Sequence, residues 1–379
     1  MTQTHDGVDG LLTEHGLDAI IGYTRATLRH LSGVDFPVAG WGAEERTWVV
    51  WTPTRRILLA PDWFDPYVFD TVRDGVEVRF FEHPEWPVTA LIALLHELGL
   101  GTAAVGTEVE QLPMAVADAL RSAFPDIDLR GVDTPLTRIR AAKTTDEAEY
   151  MVLASQALER GIADAVADSQ VGITEREFAH KLNEAVVHHG ADTISWLALR
   201  WGDNTGLRMA WRDVPIKPEE LINIEMGCTV NGYFGDVQRM IAASPVRPEI
   251  ADAYRQMQAT HHRTMMSMRP GMTSLGVYEM YLGFMREAGL ENWSSYFLGH
   301  AIGLHPHEHH LLWVESDPDE LVPEGSFYSL EPAITTPVLI SVEDTVHVRS
   351  TGNDVISSRG DWSELVVLGQ RVDVPGVER

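Results

Sequence analysis

GHAIGLHPHEHH, residues 299–310, brings His300, His307, Glu308 and His310 into one short run, each a candidate for metal or proton chemistry. An imidazole acts as a ligand only when it is neutral and its second nitrogen is fixed by a partner, so the run takes its meaning from its company. Upstream, LINIEMGCTVNGYFGDVQRMI sets Glu225 and Asp236 on either side of Asn231-Gly232. Two short apolar runs joined by Asn-Gly predict a β-hairpin. Downstream, SLEPAI places Glu331 before Pro332, and LISVEDTVHV places Glu343 in a β-branched run. Burying a lone carboxylate in a strand is costly unless it is paired or bound to a cation. Singly, each acid reads as a strand end facing water. Together, four carboxylates and one imidazole form an oxygen-rich set suited to two divalent ions that share bridging carboxylates.

Composition narrows the function classes. The 379 residues suffice for two domains with separate cores, and 44% hydrophobic with 22% charged content is ordinary for a globular protein. With 56 acidic against 29 basic residues the net charge is −27, which repels phosphate backbones and anionic lipid. The expectation is no nucleic acid and no membrane partner. Cys228 is the sole cysteine, so no internal disulfide forms, which suits a reducing cytoplasm. It reads as a small buried hydrophobe. The start MTQTHDGVDG lacks a basic n-region and an apolar core, and no apolar run approaches the ~20 residues of a membrane helix. A cytoplasmic protein is expected.

Along the chain, VDGLLTEHG predicts a helix, LDAIIGY a strand and RATLRHLSG a helix closed by Gly33. RTWVVWTPTRRILLAP reads as two strands turning at Pro53 and Thr54, VEVRFF as a strand, PVTALIALLHELGL as a helix, GTAAVGTE as a strand and VADALRSAFP as an amphipathic helix. This alternation predicts an α/β domain over residues 1–135. Trp41, Trp48 and Trp51 read as core. RGVDTPLTRIRAAK, with Gly131, Asp133 and Pro135, reads as a joining turn before the second domain, residues 136–379. Thr144 with Glu147, and Thr174 with Glu177, predict capping boxes opening two helices. A further helix pair spans PEIADAYRQMQATHHRTMMSMRPG and LGVYEMYLGFMREAGL; neighbouring His261 and His262 face different ways there and are read as core or solvated, not as ligands.

In their order Glu225, Asp236, His300, Glu331 and Glu343 resemble the pita-bread metallohydrolases, the family of aminopeptidase P, prolidase, methionine aminopeptidase and creatinase. That pattern is an Asp, a second Asp eleven residues on, a His in a Gly-His-Gly-type run, a Glu before Pro-Gly and a Glu before Asp-Thr. The likeness implies an α+β pita-bread catalytic domain behind a creatinase-type N-terminal α/β domain. It further implies two divalent ions on these five residues, Mn favoured by the oxygen-rich set and Fe, Co or Zn compatible, and a homodimer. By the same likeness Glu331 is the catalytic proton carrier and His307 contacts the substrate or its developing oxyanion.

The sequence departs from that pattern at informative places. Glu225 replaces the first Asp, Met209 falls where the family has a substrate His, Tyr296 where many peptidases have another His, and Ser341 where Xaa-Pro peptidases often have Arg. With Arg208, Tyr296, His307 and Ser341 read as substrate-binding, the expected activity is hydrolysis of a C–N bond in a small, acidic or zwitterionic peptide-like compound. A metal-free creatinase-like amidinohydrolase and a small-molecule lyase on the same shell are the alternatives. A binding module that inherited the fold would show scrambled ligands, and the five positions are not scrambled.

Overall fold

Short β-branched and aromatic runs separated by helical stretches give the first part of the chain one sheet flanked by helices. The computed structural model describes residues 2–36, 46–64, 69–82, 86–201, 209–290 and 297–375. Contacts divide these into two units, Met1–Arg140 and Ala141–Arg379.

The first unit runs α1 (Thr2–Glu14), β1 (Ala19–Gly22), α2 (Arg25–Ser32), β2 (Trp48–Trp51), β3 (Arg56–Pro61), β4 (Glu77–Phe81), α3 (Pro87–Glu97), β5 (Ala104–Thr107), α4 (Met114–Ala123), β6 (Asp128–Gly131) and α5 (Asp133–Ala141). Its sheet has the order β4-β3-β2-β1-β5-β6, antiparallel only where β2 meets β1 and β3. Strand alternation sends Trp48 to one core with Leu91 and Leu95, and Trp51 to the other with Leu28 and Leu136, so both tryptophans are buried in the core. Trp41 lies outside the described residues. Two expectations are corrected. The first helix begins before Val8, and the joining turn is the helix α5. Pro135 falls in the first turn of α5, where its missing N–H has no intrahelical acceptor to lose, and Asp133 accepts from the backbone of Val109 and Glu110.

The second unit opens with α6 (Thr145–Ala167) and α7 (Glu175–His188), each started by the expected capping box, Thr144 with Glu147 and Thr174 with Glu177. Then come β7 (Thr193–Arg200), β8 (Leu221–Val230), β9 (Tyr233–Ala242), α8 (Pro248–Ser267), α9 (Ser274–Glu287), β10 (Phe297–Ala301) and β11 (Glu308–Trp313). They are followed by β12 (Phe327–Leu330), β13 (Ala333–Ile334), β14 (Ile340–Ser341), β15 (Asp344–His347), β16 (Asp354–Val355) and β17 (Val366–Val367). One large sheet is β17-β9-β8-β7 and the other β11-β10-β12-β15-β16, while β13 and β14 form a separate two-stranded antiparallel sheet. Helices α6 and α7 cover the outer face of the first, burying Leu158, Ile162, Phe178 and Leu182 against Ile222, Ile224 and Ile241. Helices α8 and α9 cover the second through Tyr254, Met257, Val277 and Tyr281. The sheets are stitched where Gln238 N–H donates to Glu343 O at 3.3 Å and Glu343 N–H to Gln238 O at 3.2 Å. Two layers of helix outside two sheets leave the inner sheet faces to carry polar side chains.

Helices α6 and α7 approach closely at Gly161, where an added Cβ would lie 2.7 Å from the Val186 backbone. In an exposed helix Gly→Ala gains up to about 1 kcal/mol. At this crossing the sign reverses: Gly161→Ala is expected to destabilise by about 1–3 kcal/mol through overpacking, read as a lower denaturant midpoint with an unchanged slope.

Candidate metal centre

The β8–β9 hairpin forms through Asn231 and Gly232, at φ 49° and 84°, the pair of positive angles a two-residue turn of this hand needs. The turn fixes the register, with Glu225 opposite Gln238 and Gly227 opposite Asp236. Glu225 and Asp236 are thus diagonal neighbours on the inner face, while Cys228, on the other parity, is buried and donates its thiol to Ala154 O. Gly227 has no side chain because Trp196 crosses it: a Cβ there would meet the indole ring at 2.2 Å. Trp196 and the Gln238 amide, 2.5 Å from Glu225 Oε2, both donate to the Glu225 carboxylate.

His300, on β10, is fully buried, and its Nδ1 lies 3.1 Å from Ala301 O. That bond assigns the ring proton to Nδ1 and leaves the Nε2 lone pair facing three carboxylates. Nε2 is 3.8 Å from Asp236 Oδ2, 3.6 Å from Glu331 Oε1 and 3.9 Å from Glu343 Oε1. Burial, with the neighbouring His307, pulls the His300 imidazolium down to about 3, so the ring is neutral at physiological pH. Burial and then the mutual repulsion of the acids push Glu225, Asp236 and Glu331 well above the carboxylate range, and burial pushes Glu343 to about 7. His307 stacks on His300 with ring centroids 3.9 Å apart and is exposed on its outer side.

Behind this cluster the chain places a buried charge whose partner the sequence reading did not assign. Arg239, fully buried, donates to the carbonyls of Gln238, Glu343 and Ser357 and to Asp344 Oδ1 at 2.7 Å. Burial alone would raise the Asp344 carboxyl; Arg239, with His261 and Ser357 beside it, reverses the effect and holds it at about 2. The contact ties the strand after Glu343 to the strand that bears Asp236. His261 faces Asp344 at 3.4 Å, whereas His262 is exposed. A charged residue on the helix-facing parity of β9 was the available signal for this pair.

Other candidates sort differently. Glu308 is no proton carrier here: its Oε2 accepts from Lys143 Nζ at 2.8 Å, both side chains buried, and its Oε1 accepts from Leu304 N–H at 3.1 Å. It therefore fixes the loop that carries His307. Ser341 is buried and accepts from Asn223 Nδ2 at 2.9 Å. Met209 is exposed. Arg208, Tyr296 and the His310 side chain lie outside the described residues.

The donor set fits a divalent cation. Asp236 Oδ1, His300 Nε2 and Glu343 Oε2 are buried with no hydrogen-bond partner among the described residues. Two triads have ligand atoms close enough to share an ion, Asp236–His300–Glu343 and His300–His307–Glu331. Glu225 belongs to neither triad, though it contacts Glu343. Clustered acids around a neutral imidazole, without a buried basic side chain among them in the described residues, require added positive charge or protons.

Comparison with known proteins gives the family and the fold. Residues 149–350 match the model of metallopeptidase family M24, and residues 5–142 match the creatinase/prolidase N-terminal domain. The Xaa-Pro dipeptidase of Pyrococcus furiosus is 26% identical over 59% of this chain and 65% of its own length. A probable dipeptidase PepE of Mycobacterium tuberculosis is 24% identical over 96% of this chain and 92% of its own. The solved Xaa-Pro dipeptidase from Bacillus anthracis superposes with a TM-score of 0.83, at 20% identity, over 97% of this chain and 99% of that one.

The Lys143–Glu308 pair has a measurable weight. Lys143→Met strands a buried carboxylate and is expected to destabilise by about 3–5 kcal/mol, while Lys143→Met with Glu308→Leu recovers most of the loss. Denaturant unfolding of the two single variants and the double variant reads the coupling.

Proposed function

We propose, from the premise that this chain belongs to metallopeptidase family M24, that it is a metal-dependent hydrolase of the C–N bond in a short peptide or peptide-like compound. The reading is carried by the buried, unpartnered donor atoms of Asp236, His300 and Glu343, whose chemistry calls for divalent cations. The likeness to enzymes named Xaa-Pro dipeptidase and dipeptidase supports it. Asp236, His300, Glu331 and Glu343 would hold one ion, and Glu225 with Asp236 and Glu343 a second. Mn suits the oxygen-rich donors, with Fe, Co or Zn compatible.

Divalent ions bound there supply Lewis-acid charge and ready a water for attack near neutral pH. The side chains do the rest. Glu331 is the most exposed of the carboxylates facing His300, with 30% of its side chain accessible, and takes the proton of the attacking water and passes it to the leaving nitrogen. His307, rigid against the His300 ring and open outward, donates to the substrate carbonyl as charge develops on its oxygen. The Nδ1 bond to Ala301 keeps the His300 ring from turning, and burial keeps it from competing for that proton. Trp196 and Gln238 hold the longer Glu225 carboxylate in place. Among the described residues no helix is long and apolar enough to cross a membrane, and a single, buried cysteine, Cys228, suits a reducing cytoplasm.

Asp236→Asn tests the reading. Elemental analysis of the purified protein is expected to find divalent metal in the parent and a marked deficit in the variant, with peptidase activity down by roughly a hundredfold or more. Chelation should silence the parent and added Mn restore it. Full activity of the variant together with indifference to chelator removes the proposal.

A further inference from the structure

On the inner face of the β7–β9 sheet, beside the acids, lies a cavity of about 550 Å³. Its walls are apolar, from Met240, Val246, Ile250 and Val338, and its polar lining includes Arg200 and Asn223. Strand register fixes its position. Arg200 stands opposite Asn223, Asn223 is two residues before Glu225, and Met240 is opposite Asn223. All four therefore share the face that carries Asp236, and the cavity begins roughly 7 Å along the strand from Glu225.

Arg200 sits at the end of β7 with its Nε buried and without a hydrogen-bond partner, and among the described residues it has no ion pair. Among the described residues the charge acting on it is that of Glu225. Every other charge around the cavity is accounted for or faces water. Arg247 pairs with Glu249 at 2.9 Å, Glu220 accepts from Lys217 N–H at 2.7 Å, and Glu219 is exposed. Asn223, nearly fully buried, gives its amide N–H to Ser341 and keeps its carbonyl oxygen unpartnered. A guanidinium half withdrawn from water is favoured by a facing anion, and its planar fork is shaped for a carboxylate.

We propose that this cavity takes the apolar body of the substrate and that Arg200 binds its anionic end, a carboxylate in the simplest case. The assignment rests on the hydrolase reading above, and it narrows the substrate class to small acids whose chain runs from the acid-lined cluster along β8 to Arg200. Arg200 thereby sets specificity, leaving the bond-breaking groups to the neighbouring cluster. Asn223 has the complementary task of accepting a hydrogen bond from an N–H or O–H on the same ligand.

Calorimetric titration of the metal-loaded protein with hexanoate, and with hexanamide as its neutral isostere, tests the assignment. Hexanoate is expected to bind at least roughly tenfold more tightly than hexanamide. Arg200→Leu should bring the two ligands to the same affinity, and Arg200→Lys should keep part of the preference. Hexanoate affinity unchanged in Arg200→Leu would mean that the acid sits elsewhere, for instance on the metal, and overturns the proposal. Equal binding of both ligands by the parent, or no binding of hexanoate, overturns it as well. Should Arg200→Leu fail to fold, Val338→Trp, which fills the cavity and leaves Arg200 in place, must abolish hexanoate binding; retained binding there has the same force. Metal content measured on the same samples separates the two levels. A parent that holds no metal yet prefers hexanoate refutes the hydrolase reading alone, whereas a metal-bearing parent with no preference refutes only the role of Arg200.

Discussion

Carboxylates cannot crowd a dry cleft without a counter-charge, and the second unit is arranged around that constraint. Asp236, Glu331 and Glu343 all lie within 4 Å of one imidazole nitrogen, in a place where burial has already made His300 neutral. Among the described residues no cation in the immediate cluster neutralises them, since the buried one nearby, Arg239, is committed to Asp344 on the other side of the strand. The protein thus supplies anchorage for the acids and leaves their charge to be balanced from solution. Two sheets held edge to edge by the Gln238–Glu343 backbone bonds make that geometry rigid, and the helices outside them exclude water from behind.

The support is asymmetric. Around His300 one oxygen each of Asp236 and Glu343 and the imidazole Nε2 have no hydrogen-bond partner among the described residues, although the other Glu343 oxygen accepts from Ser329 at 2.8 Å, while Glu225 is already engaged by Trp196 and Gln238. One methylene more than Asp gives Glu225 the reach to meet those donors, and Gly227 clears the space for the indole. The two halves of the cluster therefore differ in how much their side chains must give up to receive an ion. Asp236 and Glu343 each keep one oxygen with only a proton to lose, and Glu225 must share an oxygen that is already bonded.

Much of this was legible in the residues, and the parts that were not have physical reasons. Asn231-Gly232 declared the hairpin because few residues accept two successive positive φ angles. Register then followed from alternation, and the pairing of Glu225 with Asp236 on one face came with it. The capping boxes at Thr144 and Thr174 were local signals read locally. What escaped depends on partners distant in sequence. Glu308 sits in a His-rich run and looks chemical, yet its meaning lies in Lys143, far earlier in the chain. Asp133 and Pro135 have turn chemistry, but at a helix start the same residues cap and tolerate a first turn, and only the backbone of Val109 and Glu110 shows which applies. Arg200 carries no motif at all; its interest arises from an empty volume beside it.

The parity of β8 has a wider consequence. Ile222, Ile224, Met226 and Cys228 hold the helices, while Asn223 and Glu225 look the other way. Stability and selectivity are thus written on alternate letters of one short strand. A lineage can revise what it digests by editing odd positions, leaving the even ones, and the folded scaffold they guarantee, untouched.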